Sequence, residues 1–522
     1  MRQQIAQHWA QAQALEAARN PEGARAQYES ILQLDAAQAG AWLRLSRLDQ
    51  LSDQYRASRL HALSAAKAVV EKNDWKTLPF VTLRLLSFDE RNAVRDLIVN
   101  ADWTSREVLG QSPVLSQHLW LIEEYEQSLR LIDEALRHVR GHHLLSYSRA
   151  NALRYCGRMD EATAEYEKCL ALAPDYAYAH WSLAYHQKAD PPGSRVDRIR
   201  RAKAQTAPSL ERVHLCYALF KELDDAGDTA QAWAELEEGA ALMRGSFRFD
   251  SAEQVRRIEA LLGDAPQPAQ STPAEGRIPV FVIGMPRTGT TLLERILSNH
   301  EQVATAGELN DFARSVSWES NHFFAGALQE PSLASFHGLD HAAVGREYLR
   351  RTDSLASGRA YLVDKNPANF FNAGLIRRAL PQAKFLCLVR DPMDACFSNL
   401  KELFSGDAYP YSYALNELAD HYAGFDRLRQ HWQNVMPEAF HVVRYEELVA
   451  DPAGVARGVA EFLRVPYAED SIDITRNTAP VATASSSQVR QAIHGGNVGA
   501  WQRYEPSLRP LRERLEAAGY AV

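Results

Sequence analysis

The chain has 522 residues, more than one hydrophobic core usually organises, so two or more domains are expected. Hydrophobic residues at 46% and charged residues at 24% exclude disordered and fibrous classes. Fifty-eight Lys plus Arg against 66 Asp plus Glu leave a formal charge of −8, which excludes a global basic field for nucleic acid or an anionic membrane. The opening MRQQIAQHWAQAQALEAARN lacks an apolar h-region and a cleavage-site pattern, and no run approaches the roughly 18 apolar residues of a membrane span. The expectation is a soluble, cytoplasmic protein with no nucleic-acid or membrane partner. The five cysteines (Cys156, Cys169, Cys216, Cys387, Cys396) are odd in number, lack C-x-x-C spacing and sit in apolar patterns, which reads as buried structural thiols.

The first 260 or so residues are helix-period sequence rich in Ala, Leu, Glu, Gln and Arg. Gly157, Ala162 and Tyr166 are followed by Leu170, Pro174 and a new helix at Ala177. This unit resembles the tetratricopeptide repeat: small Ala150 and Ala162 where two helices approach, Tyr166 packing on them, Pro174 opening the next unit. Ala12, Ala24 and Tyr28 with Leu34 and Asp35 repeat the pattern, and Gly227, Asp228, Ala232 and Leu236 repeat it more loosely. About six helical pairs are expected, forming a solenoid whose groove suits a peptide or partner surface; bracing of the second domain or oligomerisation is the alternative.

Residues 264–277, DAPQPAQSTPAEGR, have the composition of a linker, so the expected division is a solenoid over 1–263 and a second domain over 278–522. An apolar β-branched run over 278–284 precedes an amphipathic helical pattern from Thr290 to Ser298, with Gly284-Met-Pro-Arg287-Thr288-Gly289-Thr290-Thr291 between them. Strand, glycine loop and helix point backbone N–H groups and a positive helix end at a phosphate. Gly289 permits close approach, and Thr290 and Thr291 offer hydroxyls. The loop follows G-x-x-x-x-G-K-[ST] except that Thr290 stands in the lysine position, which argues against a kinase or ATPase; the loop cation is Arg287 instead. Further on, Glu308 follows Gly307, a strand over 360–363 leads to Asp364-Lys365-Asn366-Pro367, a strand over 384–389 ends at Arg390-Asp391-Pro392, and a strand from Phe440 leads into Tyr445 and a helix. The expected architecture is an α-helical solenoid followed by a three-layer, P-loop-like α/β domain with a mostly parallel sheet and ligands at the strand C-termini.

Taken together, Pro286 to Leu293, Gly307-Glu308, Asp364 to Pro367, Val389 to Pro392 with Ser398, and Arg444 to Leu448 resemble the sulfotransferases that use 3′-phosphoadenosine 5′-phosphosulfate (PAPS), most of all the tyrosylprotein sulfotransferases and bacterial fusions of tetratricopeptide repeats with a sulfotransferase domain. The resemblance spans about residues 278–505. It implies transfer of a sulfuryl group from PAPS to a hydroxyl acceptor, with 3′-phosphoadenosine 5′-phosphate as product and no metal required.

Carried onto this chain, the resemblance makes Glu308 the general base, Lys365 the cation at the bridging oxygen, and Arg287, Thr288, Gly289, Thr290 and Thr291 the 5′-phosphate loop. Asp311 and His300 are substitutes for the base. Arg390 and Ser398 correspond to the 3′-phosphate contacts, with Lys401 on the same helix face as Ser398, and Tyr445 to a nucleotide contact or a core anchor. Ser486, Gln488 and Arg490 lie in a segment similar to the one that covers the nucleotide. Residues 496–501 resemble the R-K-G-x-x-G-x-W loop, but His494 and Gly495 replace its basic pair, leaving Arg490 or Arg503 to compensate. The acceptor stays open between peptide tyrosine, glycan, lipid and small molecule; a peptide or protein would be held through the repeats, and residues 313–358, with Trp318, Phe323 and Phe324, are expected to shape its pocket. A homodimer is a family-level expectation. A nucleotide-binding scaffold and an ATP-dependent phosphotransferase are the competing readings.

Overall fold

A computed structural model describes residues 1–263, 276–330, 332, 336, 338–476 and 492–522. By compactness the chain divides into Met1–Leu172 with Ala313–Ala325, and Ala173–Phe312 with Gly326–Val522.

The first unit is built from consecutive helix pairs: Arg2–Ala17 with Pro21–Leu34, Ala39–Leu51 with Tyr55–Lys72, Leu78–Leu86 with Arg91–Val99, Arg106–Leu121 with Tyr125–His138, and His143–Tyr155 with Met159–Leu172. Helix starts are written locally: Asn20 accepts from Gly23 N at 2.9 Å with Pro21 in the first turn, and Ser105 accepts from Val108 N. Ala12, Ala24, Ala150 and Ala162 are fully buried, as are Tyr28 and Tyr166, in the roles expected from the repeat pattern. The degenerate repeats keep the crossing with other small residues. Ser46 faces Ser58 and Ser116 faces Ser128, each pair twelve residues apart, with Oγ atoms 3.3 and 2.7 Å from one another. A hydroxyl is small enough for the close approach, and its buried donor is satisfied by its partner. Over residues 1–263 there are fifteen helices, more than six pairs supply.

Residues 313–325 belong to this first unit. Trp318 lies beneath the Arg59 guanidinium at 5.0 Å, Phe323 packs edge-on against Tyr55 at 5.1 Å, and Arg314 pairs with Asp89 at 2.8 Å. Trp318 and Phe323, expected to shape an acceptor pocket, are half-buried and pack against repeat helices of this unit.

The second unit is centred on a five-stranded sheet of β1 (Ile278–Gly284), β2 (Val303–Thr305), β3 (Tyr361–Asp364), β4 (Lys384–Val389) and β5 (Phe440–Arg444). Its order is β2-β3-β1-β4-β5 and every pairing is parallel. Alternate residues serve opposite faces. Val280, Val282, Val363, Leu386 and Leu388 pack against Leu293, Ile296, Val459 and Leu463 of the helices Thr290–Ser298 and Pro452–Leu463. On the other face Phe281 stacks on Phe385 at 5.6 Å and meets Tyr348 of the helix His341–Arg351 at 5.7 Å. Helix, sheet and helix make the three layers, and parallel strands bring all five C-terminal ends to one edge.

The last repeat helices are part of this same unit. Leu210–Ala226 packs on Thr229–Gly245, and Tyr217 donates to Leu400 O at 3.0 Å while Tyr185 donates to Lys401 O at 3.3 Å. All five cysteines are free thiols, four of them buried and Cys156 half-buried, as their apolar contexts suggested. Among the described residues no helix is long and apolar enough to cross a membrane.

Candidate active site

The loop after β1 is held by its neighbours through its carbonyls. Thr288 Oγ1 donates to Met285 O at 2.7 Å, Asn399 Nδ2 to Pro286 O at 2.9 Å, and Arg390 Nη1 to Arg287 O at 3.2 Å. In a trans peptide the N–H lies opposite its C=O, so the Arg287 and Thr288 N–H groups are turned to the other side. Arg287 is left-handed at φ +65°, and Gly289, at φ +101°, caps the helix Thr290–Ser298 without a side-chain capping bond. Thr288, Thr290 and Thr291 are buried at the helix start. This is an anion cradle made of oriented amides and the positive end of a helix. The Arg287 side chain is nearly buried and lies 3.5 Å from Glu402.

Beside the loop, the ends of β2 and β3 bring together the two residues assigned to proton transfer and leaving-group stabilisation. Ala306 N donates to Val363 O at 3.0 Å and Lys365 N to Gly307 O at 2.9 Å, extending the strand pairing into the turn. Lys365 has no exposed surface, and its Nζ donates to Glu308 Oε1 at 2.5 Å. Half of the Glu308 side chain is exposed, so the carboxylate bridges a buried cation and the opening. The substitutes for the base are engaged elsewhere: Asp311 is buried and pairs with Arg351 at 2.9 Å, and His300 meets Pro466 O at 2.9 Å and Gln302 N at 3.1 Å.

At the end of β4 the buried Arg390 guanidinium stacks over Tyr445 at 4.5 Å, and the opposite constraint on that ring is Gly289, where a Cβ would sit 2.7 Å from Tyr445 Cδ2. Tyr445 is thus an anchor between the loop and Arg390. Arg390 also donates to Asn497 O and lies 3.7 Å from Asp394, whose Oδ2 accepts from Gly499 N at 2.7 Å. Residues 497–499 therefore close on Arg390 through backbone groups, although their basic pair is missing. Arg390 Nε is buried with no hydrogen-bond partner among the described residues, which fits an anionic ligand. Ser398 is buried on the helix Pro392–Leu400 that Arg390 precedes. Arg503 pairs with Asp224 at 2.7 Å, while Ser486, Gln488 and Arg490 lie outside the described residues.

Several participants carried no sequence signal strong enough to name them. Glu294, in the second turn after the loop, accepts from Gly307 N at 3.2 Å and lies 4.0 Å from Lys365 Nζ. Glu402 faces Arg287. The Tyr409 phenol is pushed up in pKa by burial and then by the Glu308 carboxylate charge, and Phe404 packs edge-on against the Tyr409 ring at 4.7 Å. Burial, with the Arg287 charge next, draws the Lys401 ammonium down to about 8. The i, i+4 step from Thr290 to Glu294 was the one available hint that its carboxylate shares a helix face with the loop.

A model of the sulfotransferase family matches residues 279–469. Residues 279–469 are a sulfotransferase-family segment. The chain thus joins tetratricopeptide-like repeats to that segment, which contains Arg287, Glu294, Glu308, Lys365, Arg390, Ser398 and Tyr445. An uncharacterized protein of Aquifex aeolicus is 27% identical over 405 residues, covering 74% of this chain and 52% of that protein. A protein-tyrosine sulfotransferase of Drosophila melanogaster is 24% identical over 229 residues, 42% of this chain and 45% of that one. The chain spans about half the length of these curated relatives. Among solved structures, the sulfotransferase domain from the curacin biosynthetic pathway is 18% identical, covering 46% of this chain and 99% of its own, with a TM-score of 0.31.

Proposed function

We propose that the chain is a PAPS-dependent sulfotransferase acting on a hydroxyl acceptor, with Glu308 as general base and Lys365 and Arg287 as electrophilic stabilisers. The observation that carries this reading is the fully buried Lys365 ammonium bonded at 2.5 Å to a carboxylate that still reaches solvent. Sulfuryl transfer is an in-line displacement, which needs a base at the attacking hydroxyl and a cation at the departing oxygen. When bound, PAPS supplies the activated sulfuryl group and 3′-phosphoadenosine 5′-phosphate as the leaving group.

The residues present fit that group: the amide cradle at 287–291 suits the 5′-phosphate, and buried Arg390 with its unpartnered Nε and Ser398 suit the 3′-phosphate. Glu308 takes the acceptor proton as the hydroxyl oxygen attacks sulfur. Lys365, released from Glu308, donates to the oxygen on which negative charge accumulates, and Arg287 adds its charge from the loop. Ser486, Gln488 and Arg490 are proposed to cover the nucleotide. No residue in this scheme calls for a metal.

The acceptor is proposed to be a peptide or protein tyrosine. Support comes from the similarity to a protein-tyrosine sulfotransferase and from the Tyr409–Phe404 aromatic pair, whose phenol feels the Glu308 charge. The proposed division of labour is partner recognition by residues 1–263, a connection over 264–277 and chemistry in 278–522, with helices 173–263 packed in the unit that holds the sheet. Calorimetric titration with 3′-phosphoadenosine 5′-phosphate, adenosine diphosphate and Mg-ATP tests the donor. Preference for the 3′-phosphorylated ligand is expected; preference for ATP would indicate a phosphotransferase, and no binding would leave a scaffold.

A further inference from the structure

Glu294 reaches the reaction centre from the helix directly behind the phosphate loop, and its carboxylate is almost fully buried. It does two things at once. Oε1 accepts the Gly307 N–H at 3.2 Å, and Oε2 lies 4.0 Å from Lys365 Nζ. The ammonium is therefore flanked by two carboxylates of different character, one shielded and one, Glu308, half exposed. The neighbouring Asp364 is turned to Tyr348 Oη at 3.2 Å and Asn369 Nδ2 at 3.3 Å, and the Tyr409 phenol lies within the field of Glu308.

We propose that Glu294 is a positioning residue: it pins the Gly307–Glu308 turn and serves as the permanent counter-charge that keeps Lys365 protonated when Glu308 turns to the acceptor. This role rests on the sulfotransferase reading above. The physical need is specific. Burial disfavours a charged ammonium, and a carboxylate at the same depth offsets that cost. Were Glu308 the sole carboxylate beside Lys365, its protonation would remove the one protein counter-charge of a buried ammonium. A second carboxylate that never enters the chemistry uncouples the two events. Gly307, at φ +64°, makes the turn tight enough for its N–H to meet Glu294.

Glu294→Gln separates the two roles, because the amide oxygen still accepts from Gly307 while the charge is gone. The test is calorimetric titration of the full chain with 3′-phosphoadenosine 5′-phosphate from about pH 6 to 10, for wild type, Glu294→Gln, Lys365→Met and the double variant. Loss of affinity on the alkaline side should begin about one pH unit lower in Glu294→Gln than in wild type, reaching about tenfold where the curves diverge most. In the Lys365→Met background the second substitution should leave the pH curve unmoved. Superimposable curves for wild type and Glu294→Gln, or a shift that persists without Lys365, would overturn the role. Glu294→Asp, which keeps the charge but withdraws it, should shift the curve less in the same direction; it decides the matter if Glu294→Gln does not fold, and an unshifted curve then overturns the role. Absence of nucleotide binding by wild type would instead overturn the donor reading itself, and this role with it.

Discussion

Replacing Gly289 by alanine tests whether the loop, Tyr445 and Arg390 form one unit. Alanine at φ +101° would occupy a region that costs an L-residue about 1–3 kcal/mol. Its Cβ would stand 2.7 Å from Tyr445 Cδ2, so the ring must move, and overpacking of this kind costs roughly another 1–3 kcal/mol. The ring cannot move freely, because its face carries the Arg390 guanidinium at 4.5 Å. The expected loss is about 2–6 kcal/mol in urea unfolding, with at least about tenfold weaker binding of 3′-phosphoadenosine 5′-phosphate as Arg390 is displaced. In a Tyr445→Ala background the clash disappears and only the backbone strain remains, so the two substitutions should couple by about 1–3 kcal/mol. Additivity to within about 0.5 kcal/mol would refute the reasoning.

Glu308 and Lys365 should separate catalysis from stability. Glu308→Ala should abolish transfer from labelled PAPS to tyrosine-containing peptides while changing nucleotide affinity by less than about threefold, whereas Lys365→Met, which leaves Glu294 buried without its cation, should cost about 3–5 kcal/mol in unfolding. Arg390→Ala should weaken binding of 3′-phosphoadenosine 5′-phosphate far more than of adenosine diphosphate in parallel titrations; equal losses would contradict the 3′-phosphate assignment. Lys401 provides the pH test. Its folded value of about 8 lies below the ordinary 10.5, so between them the unfolded chain holds a proton that the folded chain has shed, and stability should rise with pH across that window. A bound anion would draw the proton back, so titrations at about pH 8.5 in buffers of different ionisation heat should show proton uptake that Lys401→Met abolishes.

Much of this architecture is written in local spacing. The loop after β1 is a contiguous run of eight residues, and Gly284, Gly289 and the helix they precede announce it, although Asn399 and Arg390 help hold it. Repeats with Ala and Tyr at the crossing positions, such as Ala150, Ala162 and Tyr166, announce themselves for the same reason. Repeats that use Ser46 with Ser58 or Ser116 with Ser128 do not, since serine is also a common turn residue and gains its meaning only when two hydroxyls meet. The place of Trp318 and Phe323 in the chain, between Glu308 and Lys365, says nothing of the repeat helices they pack against.

The sequence alone determined the strand–loop–helix run over 278–298 and the helical repeats, because each depends on residues within a few turns of one another, and it announced the strands of the parallel sheet one by one. The tertiary structure alone decided which groups meet. Strand order β2-β3-β1-β4-β5 sets the end of β3 beside the end of β2, so Lys365 finds Glu308 across fifty-seven residues of chain, with Glu294 closing on both from behind. The same order puts β4 between β1 and β5, so that Tyr445, after β5, reaches both Gly289 and Arg390. Spacing along a chain encodes the conformation of its neighbours; the distances between charges that decide protonation and catalysis arise only when the sheet closes.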